Sequence, residues 1–173
     1  MKEIEVKILG VDPAEIRNRL KALGAGKFFD GDIHSISYDY PERRLEEAGL
    51  MLRVRKAGER VELCFKGKNT SKIFKAKEEI EVLTSSFEDT CTILERVGFT
   101  RLYERSKRRE CYRLGSVKFD MDTLPGIPPY LEVEAATEAA VEHAVTDLGF
   151  TMQQTTNKTG RQVEADYRSV NRP

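Results

Sequence analysis

The chain opens on Met-Lys-Glu-Ile-Glu-Val-Lys, and no other stretch constrains the fold as much. Glu3, Glu5 and Lys7 alternate with Ile4, Val6 and Ile8. Successive side chains of a β-strand point to opposite faces. One face of this strand is therefore apolar, and the other carries two carboxylates and an ammonium. The pattern returns far along the chain, where Tyr130-Leu131-Glu132-Val133-Glu134 again sets two carboxylates on one face. Two strands distant in sequence, each with paired carboxylates, can meet to build a site for a hard metal ion.

The same period of two runs through the strands between them. Arg53 and Arg55 share a face, as do Glu62 and Lys66, then Lys77, Glu79 and Glu81. Lys107 pairs with Arg109, and Lys118 with Asp120 and Asp122. About eight strands are expected, together with three amphipathic helices. Asp12-Pro13 reads as an N-cap and first helical position, with Ile16, Leu20 and Leu23 as the apolar stripe. Further helices are expected over 86–97 and 137–148. Residues 67–75 read as a mobile loop, and the polar tail after Gly149 carries a short helix near 160–168.

A half-buried sheet with one polar face in water explains any single strand of this kind. It explains the set less well, because exposed faces usually mix in Ser, Thr and Gln. These faces are almost wholly ionisable. A closed eight-stranded antiparallel barrel, its charged face inward and its apolar face under the helices, accounts for the pattern better. The expected fold is α+β. With 173 residues and no linker or composition break, residues 1–173 read as one domain.

Charge and cysteine usage narrow the function. Twenty-nine basic residues balance 29 acidic ones, which argues against general nucleic-acid binding. Cys64, Cys91 and Cys111 are widely spaced and form no CxxC pair, which suits a reducing cytoplasm. No signal segment and no apolar run of membrane-spanning length is evident, so a cytoplasmic location is expected and a membrane partner is not. A bare anion would need only the bases, and a bare metal only the acids. Both together suit a small-molecule polyphosphate carrying Mg²⁺ or Mn²⁺.

At this point the chain resembles the CYTH superfamily, the triphosphate tunnel metalloenzymes. Glu3-x-Glu5-x-Lys7 matches its N-terminal Glu-x-Glu-x-Lys signature. Leu52-Arg53-Val54-Arg55 is similar to the family's Leu-Arg-x-Arg strand. Phe65-Lys66-Gly67 resembles its Thr-Lys-Gly segment, with Phe65 in place of Thr. Lys77-x-Glu79-x-Glu81 resembles an Arg-x-Glu-x-Glu motif with Lys for Arg, Lys107-x-Arg109 resembles a Lys-x-Arg motif, and Asp122 before Glu132-x-Glu134 resembles the family's Asp followed by Glu-x-Glu. The resemblance covers residues 1–135 and implies an eight-stranded tunnel that acts on a triphosphate.

It further implies that Glu3, Glu5, Asp122, Glu132 and Glu134 hold the metal or orient its water. Lys7, Arg53, Arg55, Lys66, Lys107 and Arg109 would grip the triphosphate. Glu3, Glu5, Lys7, Glu132 and Glu134 form the implied catalytic set. Glu79 and Glu81 would hold a second metal, orient the bases, or form salt bridges within the tunnel. Glu62, Lys118 and Asp120 share the charged faces but match no motif. Asp39 stands where the family carries an Asp, in an altered Ser37-Tyr38-Asp39 context. Lys158 and Arg161 would cap the tunnel mouth or lie in a solvated tail. The reaction the resemblance implies is hydrolysis of tripolyphosphate, a nucleoside triphosphate or thiamine triphosphate, or cyclisation of ATP as in class IV adenylyl cyclase. A non-catalytic polyphosphate-binding module is the alternative. A monomer or homodimer is expected.

Overall fold

The computed structural model describes residues 2–170, and side chains from Ile4 to Ser169. Nine strands and five α-helices follow in order: β1 (Lys2–Leu9), α1 (Pro13–Ala22), β2 (Gly26–Asp39), α2 (Arg44–Glu47), β3 (Met51–Ala57), β4 (Arg60–Lys66), β5 (Lys75–Thr84), α3 (Phe87–Arg96), β6 (Thr100–Leu114), β7 (Val117–Leu124), β8 (Ile127–Ala135), α4 (Glu138–Asp147), the two-residue β9 (Thr155–Thr156) and α5 (Gly160–Val170). The strands hydrogen-bond in the order β5-β4-β3-β2-β6-β7-β8-β1-β9, and β5 also pairs with β1. Eight antiparallel strands thus close into a barrel with flanking helices, as the alternating sequence implied.

By its contacts the chain divides into two compact units. The first contains Gly31–Asn69 and Lys77–Arg108; the second contains Glu3–Asp30, Thr70–Ala76 and the chain from Arg109 onward.

In the first unit, the apolar residues of β2, β3 and β4 lie under α3. Ile36, Tyr38, Val54 and Val61 pack with Phe87, Cys91 and Leu94. Ser86 caps α3 by accepting from Asp89 N at 3.1 Å. Asp39 acts as the clamp of the next turn. It is 1% exposed and accepts from the backbone N–H of Tyr40 (2.7 Å), Leu45 (2.9 Å) and Glu46 (2.8 Å). It therefore satisfies the orphan donors at the start of the short α2, which the sequence alone did not reveal.

In the second unit, Ile4, Val6 and Ile8 of β1, Phe119 and Met121 of β7, and Leu131 and Val133 of β8 form one apolar face. Ile16 and Leu20 of α1 cover it, with Val141, Ala144, Val145 and Leu148 of and beside α4. Asp12 caps α1 through Ala14 N at 2.7 Å, with Pro13 at the first position. A second apolar cluster joins Val163 and Tyr167 of α5 to Leu9, Leu124, Ile127 and Tyr130. Leu9 and Tyr130 continue the parity of Lys7 and Glu132. At this end the charged face turns apolar, and α5 lies on it. Lys158 is half exposed and pairs with Asp166 at 2.7 Å, but α5 itself is anchored, with Val163 1% exposed.

The same unit carries a structural ion cluster beside α1. Glu110 accepts from Arg17 at 2.6 Å, from Lys27 at 3.1 Å and from the Tyr112 hydroxyl at 2.7 Å. Hydrogen bonding from Arg17, against the opposing effect of burial, brings the Glu110 carboxyl down to about 2. A carboxyl depressed in the folded state stabilises above its unfolded pKa, and that stability is lost as pH falls toward the folded value. Glu110→Gln is therefore expected to cost about 1–3 kcal/mol at neutral pH. Urea unfolding should show the gap to wild type shrinking as pH falls from about 5 toward about 2.

Candidate functional site

Strand pairing in the second unit sets the acidic residues against one another. In the β1–β8 register Glu5 lies opposite Glu134, and Lys7 opposite Glu132. In the β7–β8 register Lys118 lies opposite Glu134, and Asp120 opposite Glu132. The period of two then brings all six side chains to one face. Glu3 belongs to β1, but its side chain lies outside the described residues.

Lys7 is the centre of the β1 side. It is 1% exposed and its Nζ lies 2.5 Å from Glu5 Oε1 and 3.1 Å from Glu132 Oε1. Burial opposes its charge, but Glu132 and Glu5 outweigh this and raise its pKa. Lys75, the first residue of β5, also reaches Glu5 Oε1, at 2.7 Å. Burial alone would raise the Glu5 carboxyl; Lys7 and Lys75 instead bring it down to about 2. Glu5 is thus a fixed anion.

Arg109 is the centre of the β7 side. Its Nε and Nη2 donate to the two oxygens of Asp122, each at 2.6 Å, and Nη2 also reaches Glu132 Oε2 at 2.7 Å. Its Nη1 donates to Asp120. Burial works against the guanidinium, but Asp120, Asp122 and Glu132 hold it firmly charged. Asp122, expected as a metal ligand, is fully buried and gripped at both oxygens by this planar fork.

Lys118 reaches Asp120 at 2.9 Å and Glu134 at 3.7 Å. Two features of this face suit a hard divalent cation. Asp120 Oδ1 is buried and has no hydrogen-bond partner among the described residues. The Glu134 carboxyl is raised by burial and by the neighbouring Asp120, Glu5 and Glu132 carboxylates, with Lys118 only partly opposing this. Crowded, oxygen-only donors are the set that Mg²⁺ or Mn²⁺ takes, and such a cation would hold Glu134 ionised.

The first unit carries Arg53, Arg55, Lys66 and Lys107 of the expected phosphate-binding set. In register, Arg55 lies opposite Glu62, Arg53 opposite Cys64, and Met51 opposite Lys66. Cys64 faces Glu81 on β5, and Lys66 faces Glu79. Arg55 pairs with Glu62 and lies 3.3 Å from Glu81. Lys66 pairs with Glu79, and the Cys64 thiol donates to Glu79 Oε1 at 3.0 Å. Burial pushes that thiol up to about 12, so it stays protonated. The Cys64 sulfur and one oxygen each of Glu79 and Glu81 lie within 4.8 Å of one another.

Arg53 differs from its neighbours. Its Nη2 stands 4.0 Å from Glu79, beyond hydrogen-bond reach. Both Nε and Nη2 are buried with no hydrogen-bond partner among the described residues. Burial and the adjacent Arg55 lower its pKa. Glu79 and Glu62 partly balance its charge but accept from neither donor, and phosphate oxygens match its fork. Lys107, half-buried on β6, has a partner within the fold.

Four residues of these faces belong to no family motif: Glu62, Lys75, Lys118 and Asp120. Three were marked by alternation alone. Lys75 was hidden because the Gly-, Lys- and Ser-rich run before it read as a loop, whereas β5 begins two residues earlier than the motif.

A family model for the CYTH domain matches residues 1–167. The chain belongs to the CYTH family. A Methanocaldococcus jannaschii relative, provisionally named an adenylate cyclase, is 31% identical over 137 residues, covering 78% of this chain and 77% of the relative. Among solved structures, a Vibrio parahaemolyticus protein with the same provisional name superposes with a TM-score of 0.84 at 16% identity, covering 94% of this chain and 97% of its own. The PH1012 protein of Pyrococcus horikoshii gives 0.79 at 22% identity, with 93% and 98% covered. A Hippeastrum protein, provisionally named an adenylyl cyclase and described as having a dominant triphosphatase activity, gives 0.65 at 16% identity, with 99% and 97% covered. These three likenesses establish a shared fold. No described helix is long and apolar enough to cross a membrane.

Proposed function

We propose that this CYTH protein is a Mg²⁺- or Mn²⁺-dependent enzyme that acts on a small-molecule triphosphate, with water as the acceptor of the phosphoryl group. The observation that carries this reading is Arg53, a half-buried cation whose Nε and Nη2 are buried without a hydrogen-bond partner among the described residues, set beside Arg55 and Lys66 on one face. An oxyanion with several oxygens completes such a group; a fixed carboxylate at 4.0 Å does not.

The roles follow from the geometry of each unit. Arg53, Arg55 and Lys66 bind phosphate oxygens, with Lys107 adding positive charge. Glu62, Glu79 and Glu81 hold Arg55 and Lys66 in place. Glu5, Glu132 and Glu134, with Asp120 beside them, would hold the divalent cation. When bound, that ion neutralises phosphate charge and lowers the pKa of coordinated water. Lys7 keeps Glu5 and Glu132 ionised. Asp122 orients Arg109, whose charge stabilises the phosphate oxygens as the terminal bond breaks. Glu3 is proposed as a further ligand on sequence grounds. We read residues 1–173 as one domain built for this task.

Cyclisation of ATP is the second reading, favoured by the provisional name of the M. jannaschii relative. The described dominant activity of the Hippeastrum protein favours hydrolysis. Calorimetry tests the carrying observation. Arg53→Met is expected to weaken tripolyphosphate binding by about 10- to 100-fold in the presence of Mg²⁺. Unchanged affinity would remove Arg53 from the site.

A further inference from the structure

We propose that Lys75 is an exchange residue: its ammonium holds Glu5 in the resting protein, then leaves Glu5 to the divalent cation and moves to a phosphate oxygen of the substrate. This rests on the metal and triphosphate reading above and adds a residue and an order of events to it.

The backbone fixes where Lys75 points. Phe74 (1% exposed) and Ala76 (0%) on either side are both anchored in the apolar core of the second unit. Alternation then directs Lys75 to the opposite, charged face, where Nζ lies 2.7 Å from Glu5 Oε1. Lys7 reaches the same oxygen at 2.5 Å. One carboxylate oxygen has two lone pairs, so both are engaged by ammonium groups. A cation that takes this oxygen must displace one of them.

The two lysines differ in how deeply they are buried. Lys7 is 1% exposed and bridges Glu5 to Glu132. The Lys75 side chain is 15% exposed, and its flexible four-carbon stem can swing without moving the strand. Charge points the same way. Glu5, Asp120, Asp122, Glu132 and Glu134 face Lys7, Lys75, Arg109 and Lys118. A divalent cation added to this face takes over neutralisation that the ammonium groups supply in its absence. The displaced ammonium is then available to an anion.

Competition and recruitment make opposite demands on one side chain, which gives a distinctive test. Mn²⁺ is titrated into the protein without triphosphate, and free Mn²⁺ is followed by electron paramagnetic resonance. Tripolyphosphate is titrated separately by calorimetry with Mg²⁺ present. Lys75→Met is expected to tighten Mn²⁺ severalfold and to weaken tripolyphosphate by about tenfold. Lys75→Arg should restore tripolyphosphate affinity. Lys75→Gln repeats the Mn²⁺ measurement with a polar side chain in case Met perturbs the strand. Mn²⁺ binding that weakens or stays unchanged in Lys75→Met and Lys75→Gln would overturn the proposal, because a residue that only braces Glu5 gives that result. Wild-type protein that binds neither Mn²⁺ nor tripolyphosphate would overturn the underlying metal and triphosphate reading, and the proposal with it.

Discussion

The Glu132→Gln/Glu134→Gln double variant is expected to lose turnover of tripolyphosphate by more than about 100-fold while keeping much of its affinity for it. Both carboxylates sit on one face of β8, opposite Lys7 and Glu5 of β1. Glutamine keeps their volume but removes the charge that a hard cation needs, and at Glu132 it leaves one acceptor for the two donors Lys7 and Arg109. Arg53, Arg55 and Lys66 are left unsubstituted. Removing negative charge from the face also lessens repulsion toward a polyanion, so binding alone would not suffer. Steady-state rates together with calorimetric affinity separate the two effects. Turnover that survives the double substitution would refute the metal assignment, and a parallel loss of affinity would mean that these carboxylates act through substrate binding rather than in the chemical step.

Arg109→Met is expected to give the largest loss of stability, about 3–5 kcal/mol. The guanidinium is buried with Asp120, Asp122 and Glu132 arranged around it. Removing one partner of a buried ion group leaves uncompensated charge, which costs far more than the intact group contributes. Methionine matches much of the arginine volume, so packing changes little. Urea unfolding at neutral pH measures the loss. Adding Asp122→Asn to Arg109→Met should restore part of it, since Asp122 then carries no unpaired charge. A loss as small as that of a surface ion pair, below about 1 kcal/mol, would mean that Arg109 does not hold this face together.

Much of this arrangement was legible in the sequence because a strand writes its two faces into alternate residues. Glu5 and Lys7, Glu132 and Glu134, Arg53 and Arg55 were assigned to faces correctly by parity alone. Parity could not supply the pairing across strands. That Glu5 meets Glu134, and that Arg109 takes both oxygens of Asp122, depends on register, which is set by turns and core packing over distant segments. Asp39 was ambiguous for a related reason. Its role is to accept three backbone N–H groups of a turn, and no side-chain pattern announces that. Lys75 was concealed by its surroundings, since Gly67–Ser71 carry the composition of a loop up to the edge of β5. The tail looked polar because only one face of α5 is apolar, and Val163 and Tyr167 suffice to seat it on Leu9 and Tyr130.

The most direct test is product analysis of the purified protein. Tripolyphosphate, ATP and thiamine triphosphate are each incubated with Mg²⁺ or Mn²⁺, with a chelated control, and the products are separated. The expected result is metal-dependent release of orthophosphate from at least one of the three, abolished by chelation. Cyclic AMP with pyrophosphate from ATP would transfer the same site to the cyclase reading. Intact substrate in every tube, or orthophosphate that persists after chelation, would contradict the account.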